Sequence, residues 1–222
     1  MNRSSPTNES PTIERQCAEA NHRIVNNLAS LSSLVSLQIG VLASEGRSKM
    51  FTAEEVCAML RDIRARIAVV AKLHKSLAKT SDVDGVALGD FLRDVCSTIA
   101  TASAKSATSI AVDCNCARTM EPKMALPIGF VVAELVTNSI KYAHPAGLPV
   151  KMTVACTTDA SGTFQLDVAD DGVGFPENFD PMTDGDLGLK LVRALAGGIN
   201  ATVAFDHSSL GVRCRLIHKL IQ

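Results

Sequence analysis

From residue 13 to about residue 44, apolar side chains recur every three or four positions. Ile24, Leu28, Leu31 and Val35 form one line, and Val25, Leu34, Leu37 and Val41 form a second. The spacing predicts one long helix with two adjacent apolar stripes, as in a bundle member rather than a lone surface helix. Gly46 closes it. Thr52 and Glu55 have the spacing of a capping box, which opens a second helix. Along it, Val56, Leu60, Ile63, Ile67, Val70, Leu73 and Leu77 keep the helical spacing until the polar run Thr80, Ser81, Asp82. Two long helices joined by a short connection predict an antiparallel hairpin. A hairpin alone leaves apolar surface uncovered. Burial against a second copy would give a four-helix bundle and a homodimer; burial against the rest of the chain would give a monomer.

Residues 82–85 read as a linker, after which the pattern becomes mixed. Helices are predicted over 88–104, 123–143 and 187–196, the last stopped by Gly197 and Gly198. Strands are predicted over 109–114, 150–157, 164–169, 201–205 and 212–217. A turn containing Asp159 and Gly162 joins the second and third strands as a hairpin, and the last two close as another. The loop 170–186 lies between them. Helices and strands grouped in this way predict an α+β chain whose second part is an α/β sandwich, with helices on one face of an antiparallel or mixed sheet. The organisation read from the pattern is a polar, disordered stretch over 1–12, a helical hairpin over 13–81 and a sandwich over 86–222.

Composition narrows the classes of partner. The chain has 22 Lys and Arg against 23 Asp and Glu, so it carries no basic footprint for nucleic acid or an anionic membrane. Trp is absent and Tyr occurs once, too few aromatics for a base-stacking platform. The seven cysteines, at 17, 57, 96, 114, 116, 156 and 214, include no C-x-x-C pair, and they read as reduced core thiols. No apolar run approaches the ~20 residues needed to cross a bilayer. The polar start has no apolar stretch of a leader. These features lead to the expectation of a cytoplasmic protein without a direct membrane span.

Four groups of residues carry candidate chemistry. On the first helix, His22 shares its face with Asn26, Ala29, Ser33, Ser36 and Gly40, all small or polar, between flanks of Leu, Ile and Val. A large imidazole on a low strip suits a side chain reached by other proteins, although an ordinary exposed histidine would look the same. On the helix 123–143, Glu134, Asn138 and Lys141 stand at i, i+4 and i+7. A carboxylate, an amide and an ammonium can together handle phosphate oxygens and a hydrated Mg²⁺; the solvated stripe of an amphipathic helix has the same spacing. Asp170, Gly172 and Gly174 form D-x-G-x-G directly after a strand. The glycines permit a tight turn and close approach to a ligand, and Asp170 can accept a hydrogen bond from a purine amino group. Gly188 lies at the start of the next helix, where free amides and the helix dipole favour phosphate.

Taken together and in this order, E-x-x-x-N-x-x-K on a helix, D-x-G-x-G after a hairpin and L-G-L-x-L-V opening the next helix resemble the N, G1 and G2 boxes of the GHKL ATP-binding fold. Upstream, H-R-x-x-N-N-L starting at His22 resembles the phosphoacceptor box of two-component sensor histidine kinases. It looks most like the subfamily with the type 2 dimerisation and phosphoacceptor domain, related to the HWE kinases. The resemblance runs from about residue 13 to residue 218. It implies a helical-hairpin dimerisation and phosphoacceptor domain, a four-helix bundle in the dimer, followed by a GHKL-type ATP-binding domain.

The same resemblance implies an ATP-dependent protein histidine kinase, with ATP and Mg²⁺ as its ligands. His22 is then phosphorylated and passes the group to an aspartate on a response-regulator receiver domain, which docks around Asn26 and Ser33. Asn138 ligates Mg²⁺, Glu134 orients a metal-bound or nearby water, and Lys141 contacts phosphates. Asp170 reads the adenine amino group, Gly172 and Gly174 shape the pocket, and Gly188 lets the helix start lie against the phosphates. Residues 175–187 form the ATP lid, hinged at Gly185. Three departures stand out. Arg23 follows the histidine where many relatives carry an acidic base, with Glu19 one turn back as a substitute. Asp186 occupies a position that is often glycine. No sensor domain precedes residue 13, so the signal is expected from a separate sensor protein or from a region outside this chain. That absence favours an alternative, a histidine phosphotransferase adaptor that does not bind ATP, but an adaptor has no use for the Glu134, Asn138, Lys141 and Asp170, Gly172, Gly174 sets. An anti-sigma serine kinase would leave the His22 helix without a role.

Overall fold

The computed structural model of the chain describes residues 32, 36, 39, 52–79, 85–102, 108–115, 119–185, 187–206 and 210–219. Two compact units divide the chain between Met50 and Phe51. In the first unit, Ser32, Ser36 and Ile39 are helical and exposed, at the spacing of one helix face. The rest of the predicted first helix lies outside the described residues. So do 1–12, Glu19, His22, Arg23, Asn26, Ser33 and Asp186.

The second unit begins with helix α1, Ala53–Lys79. The expected capping box starts it: the Thr52 N–H donates to Glu55 Oε2 at 2.8 Å, and the Glu55 N–H donates to Thr52 Oγ1 at 3.2 Å. Two of the first orphan amides are thereby satisfied reciprocally. One side of α1 buries Arg66, Val69 and Val70, while Val56, Leu60 and Ile67 stay exposed on another. Helices α2, Leu88–Ala102, and α3, Pro122–Tyr142, follow, separated by strand β1, Ser109–Asn115. Strands β2, Lys151–Thr158, and β3, Phe164–Asp170, form the predicted hairpin. Its turn is held by Asp159, whose Oδ1 accepts from the Ser161 and Thr163 amides, while Gly162 takes φ +82. Helix α4, Leu187–Gly198, leads to β4, Ala201–Asp206, and β5, Arg213–His218.

The five strands make one mixed sheet in the order β1-β2-β3-β5-β4, with β1 and β2 parallel and the other neighbours antiparallel. Alternate residues of β2 (Met152, Val154 and Cys156) and of β3 (Phe164, Leu166 and Val168) are buried, and their neighbours in sequence are not. That period of two is what a sheet covered on one face requires. The covering layer is apolar, built from residues such as Phe91, Leu92, Val95, Phe130, Val131 and Leu191. The result is a two-layer α/β sandwich.

Three readings of the sequence are corrected. Gly197 and Gly198 do not stop α4, which includes them. The chain turns one step later, with the Ile199 and Asn200 amides donating to Ala196 and Gly197 carbonyls. Asn200 takes the left-handed conformation at φ 52, as asparagine does at helix ends. Buried Ile199 anchors the turn. Second, the cysteines are not all reduced thiols: Cys114 and Cys156 form a disulfide. The parallel register of β1 and β2 sets these two residues directly opposite each other, with Cα atoms 4.4 Å apart, a distance a disulfide can span. Third, one helix among the described residues, α3, is long and apolar enough to cross a membrane by length and composition. Here it is the buried helix of the sandwich, which explains its apolar character.

Candidate functional site

The C-terminal half of α3 and the end of β3 meet at a cavity of about 460 Å³. Asn138, Ser139 and Tyr142 line it from α3, Asp170 and Gly174 from the β3 end, and Gly185 and Leu189 from the start of α4. Phe175, Phe179 and Phe205 form an aromatic wall. Phe175 stacks on Phe179 at 5.1 Å between centroids and meets Phe205 edge-on at 5.8 Å. An apolar cleft with a few convergent polar groups fits a flat heterocyclic ligand.

Asp170 is the most constrained polar group of this cleft. Its Oδ2 accepts the Ser139 hydroxyl at 2.7 Å. Its Oδ1 accepts the Gly172 amide at 3.0 Å and the Val212 amide at 3.1 Å. Both lone pairs of Oδ1 are used in this way, whereas Oδ2 retains one. The carboxylate therefore presents an acceptor in a fixed direction, matched to an N–H donor on the ligand.

The glycines next to it have steric reasons. A Cβ at Gly172 would lie 2.6 Å from the Cα, Cβ and carbonyl oxygen of Ala143, so only glycine lets the turn close against the end of α3. The Val173 amide then donates to the Ala143 carbonyl at 2.9 Å. Gly174 takes φ +80 and lines the cavity. Asp171 ties the same turn to its surroundings, with its Oδ1 accepting the Lys151 amide at 2.9 Å and lying 3.1 Å from His144 Nε2. The Lys151 amide holds the Asp171 carboxyl below the usual carboxylate range; partial desolvation opposes this and His144 adds to it.

The segment expected as a lid folds into a compact turn. Asp180 Oδ1 accepts the Met182 amide and its Oδ2 the Thr183 hydroxyl, while the Asp180 amide donates to Asp184 Oδ2. Arg193 of α4 donates to the carbonyls of Pro181 and Asp184 at 2.6 and 3.0 Å, and Gly185 takes φ +98 at the expected hinge.

Of the residues singled out in the sequence, Asn138, Asp170 and Gly174 line the cavity and Gly172 backs it. Gly188 is buried in the first turn of α4, next to the lining residue Leu189. Lys141 is half-buried on the next turn of α3 and is not among the lining residues. Glu134 is not among them either. Its carboxylate forms a buried ion pair with Arg66 of α1, Nε to Oε1 at 2.7 Å. His22, Asn26 and Ser33 lie outside the described residues. No group of three or more His, Cys, Asp or Glu among the described residues could hold a metal ion.

Sequence reasoning missed Ser139, Gly211, Val212, the phenylalanine wall and Arg66. Gly211 takes φ +87, and a Cβ there would overlap the Asp170 carbonyl oxygen. The only sequence signal was a glycine between two strands, which any hairpin shares. Ser139 stood beside Asn138, but nothing local shows that its hydroxyl meets a carboxylate 31 positions away.

Comparison with known proteins agrees with this geometry. A family model described as histidine kinase matches residues 19–103, and one described as histidine kinase-, DNA gyrase B- and HSP90-like ATPase matches residues 125–220. Blue-light-activated histidine kinase 2 of Erythrobacter litoralis is 24% identical over 216 residues, covering 95% of this chain and 59% of that protein. Sensor histidine kinase PdtaS of Mycobacterium tuberculosis is 26% identical over 181 residues, covering 80% and 33%. The chain thus spans between a third and three fifths of the length of these relatives. The structure of the histidine kinase domain of the Erythrobacter litoralis EL346 blue-light-activated kinase superposes with a TM-score of 0.68 at 19% identity, over 91% of this chain and 94% of that one. It shares the fold.

Proposed function

We infer, from a chain that belongs to the histidine kinases, that it binds ATP in the cleft beside Asp170 and transfers the γ-phosphoryl group to His22. From there the group passes to an aspartate on a response-regulator receiver domain. The observation that carries this reading is the fixed acceptor of Asp170, set in an apolar cleft with Asn138 on its rim. A purine amino group matches that acceptor, and the phenylalanine wall matches the base's face and edge.

Catalysis of phosphoryl transfer is mainly positioning and charge neutralisation, because the transition state is loose. The neutral imidazole attacks phosphorus through its unprotonated nitrogen. The N–P bond forms as the bond to the ADP oxygen breaks, and ADP leaves with the electron pair. Asn138 offers one neutral amide oxygen at the cleft. That fits Mg²⁺, which binds at nucleotide sites through phosphates, waters and one or two protein oxygens. When bound, the ion offsets charge on the triphosphate. Glu134 orients a water at this end of α3, Lys141 adds positive charge near the phosphates, Gly188 admits them to the start of α4, and Asn26 and Ser33 receive the receiver domain. The exposed stripe of Val56, Leu60 and Ile67 on α1 supports a homodimeric helical bundle over 13–81.

Incubation with labelled ATP and Mg²⁺ tests the reading. Acid-labile, alkali-stable label that disappears in His22→Ala supports it. Label that persists in Asn138→Ala at the wild-type rate removes the metal role. Phosphate accepted from a receiver domain without any nucleotide binding would establish the adaptor instead, and label on Ser or Thr a serine kinase.

A further inference from the structure

We propose that Arg66 is a positioning residue for the transfer reaction: its ion pair with Glu134 withholds that carboxylate from the nucleotide cleft while α1 is packed on the sandwich. The proposal rests on the reading of Glu134 as part of the transfer site. Arg66 Nε lies 2.7 Å from Glu134 Oε1, and the two side chains are 5% and 9% exposed. They stand 68 positions apart in the chain, so only the packing of α1 against α3 joins them. That packing is close. Val69, one turn beyond Arg66, is buried. A Cβ on Gly129 of α3 would come to 3.1 Å from Val69 Cγ1 and 2.6 Å from Phe91 Cζ.

A buried ion pair adds little net stability, since two apolar side chains of similar volume do as well. It does make each partner depend on the other. With α1 docked, the Glu134 carboxylate is committed to the guanidinium and lies off the cavity that Asn138 lines. With α1 lifted, Arg66 is rehydrated and the carboxylate is released. Asn138 stands one turn further along α3, and Cα–Cβ bonds tilt toward a helix's N-terminus, so the amide leans toward the turn that carries Glu134. The released carboxylate and the amide then serve the same end of the cleft. Phosphoryl transfer starts from the undocked state, and Arg66 sets how often that state occurs.

Arg66→Met keeps the length and the apolar stem and removes the charge. In the full chain with Mg²⁺ and labelled ATP, autophosphorylation at saturating ATP should rise by about tenfold or more, because one partner of a buried pair is left uncompensated in the docked state. KM for ATP should stay within about twofold. Amide exchange over 53–79 should quicken, while exchange over 151–158 stays unchanged. Arg66→Lys, which restores a cation, should bring the rate back toward the wild-type value. A lowered rate in an Arg66→Met variant that still melts cooperatively and binds an ATP analogue would overturn the proposal. A raised rate without faster exchange in α1 would do the same. If the Arg66→Met variant does not fold, exchange in the wild-type chain decides. Saturation with a Mg²⁺–ATP analogue should quicken exchange in α1, and unchanged or slower exchange refutes the proposal. A wild-type chain that neither binds ATP nor takes up label refutes the proposed function instead, and the comparison of α1 exchange between the wild-type and Arg66→Met chains, which needs no activity, still judges the ion pair.

Discussion

Replacing Asp170 by Asn tests how the cleft reads its base, because the substitution changes hydrogen bonding while leaving shape almost untouched. In the wild-type chain, Oδ1 accepts the Gly172 and Val212 amides at 3.0 and 3.1 Å, and Oδ2 accepts the Ser139 hydroxyl at 2.7 Å. An asparagine oxygen at the Oδ1 position keeps both backbone bonds. Its amide group then faces Ser139, whose hydroxyl can turn from donor to acceptor. The nucleotide-free fold should lose only about 1 kcal/mol. Toward the cleft the change is larger, because an N–H now stands where an oxygen lone pair stood. A 6-amino purine meets donor with donor and loses a hydrogen bond to a charged acceptor, worth ~1.5–3 kcal/mol, which is roughly 10–150-fold in Kd. A 6-oxo purine presents an acceptor at the same edge and is spared that loss. Calorimetric titration with ATP and GTP analogues should therefore show the preference for ATP collapsing by that factor, with the melting temperature of the free protein as the control. Unchanged affinity for the ATP analogue would refute base reading by Asp170. An equal loss for ATP and GTP would show that the residue shapes the cleft and does not select the base.

Gly211→Ala should destabilise the fold by about 2–4 kcal/mol, since φ is +87 and the added Cβ overlaps the Asp170 carbonyl oxygen; a urea midpoint equal to wild type would show that the loop relaxes freely. Asp171 has a carboxyl held below its ordinary range by the Lys151 amide. A depressed folded value contributes stability above the unfolded pKa of about 3.9 and loses it as pH falls through the folded value. Asp171→Asn should accordingly melt below wild type at pH 7, and the gap should close below about pH 4; a gap that does not depend on pH would separate the effect from ionisation. Among Cys57, Cys96 and Cys214, only exposed Cys57 should react with maleimide in the folded protein, because burial raises the Cys96 and Cys214 thiols to about 12. Rapid modification of Cys214 would mean that β5 opens.

Much of the second unit was legible because its signals are local. The capping box of Thr52 and Glu55 spans three positions, the β2–β3 hairpin shows its alternation and its Asp159–Gly162 turn within one stretch, and the glycines of D-x-G-x-G lie beside the aspartate they serve. Helix α3 could be mistaken for a membrane span because a helix buried in a sandwich and one buried in lipid are selected for the same apolar character. The end of α4 was misread because glycine disfavours a helix only weakly, and the packing of Ile199 overrides that preference.

Local periodicity and motif order sufficed to determine the class of fold, the order of its elements and the grouping of Asn138, Asp170, Gly172 and Gly174 at one cavity, which Gly172 backs and the other three line. Tertiary structure alone decided what holds Asp170 in direction, which strand register joins Cys114 to Cys156, and that Glu134 is paired with Arg66 rather than open to the cleft. The physical reason is separation along the chain. Ser139 and Asp170, Val212 and Asp170, and Arg66 and Glu134 are 31, 42 and 68 positions apart, and no local pattern encodes a contact that exists only once helices and sheet have packed.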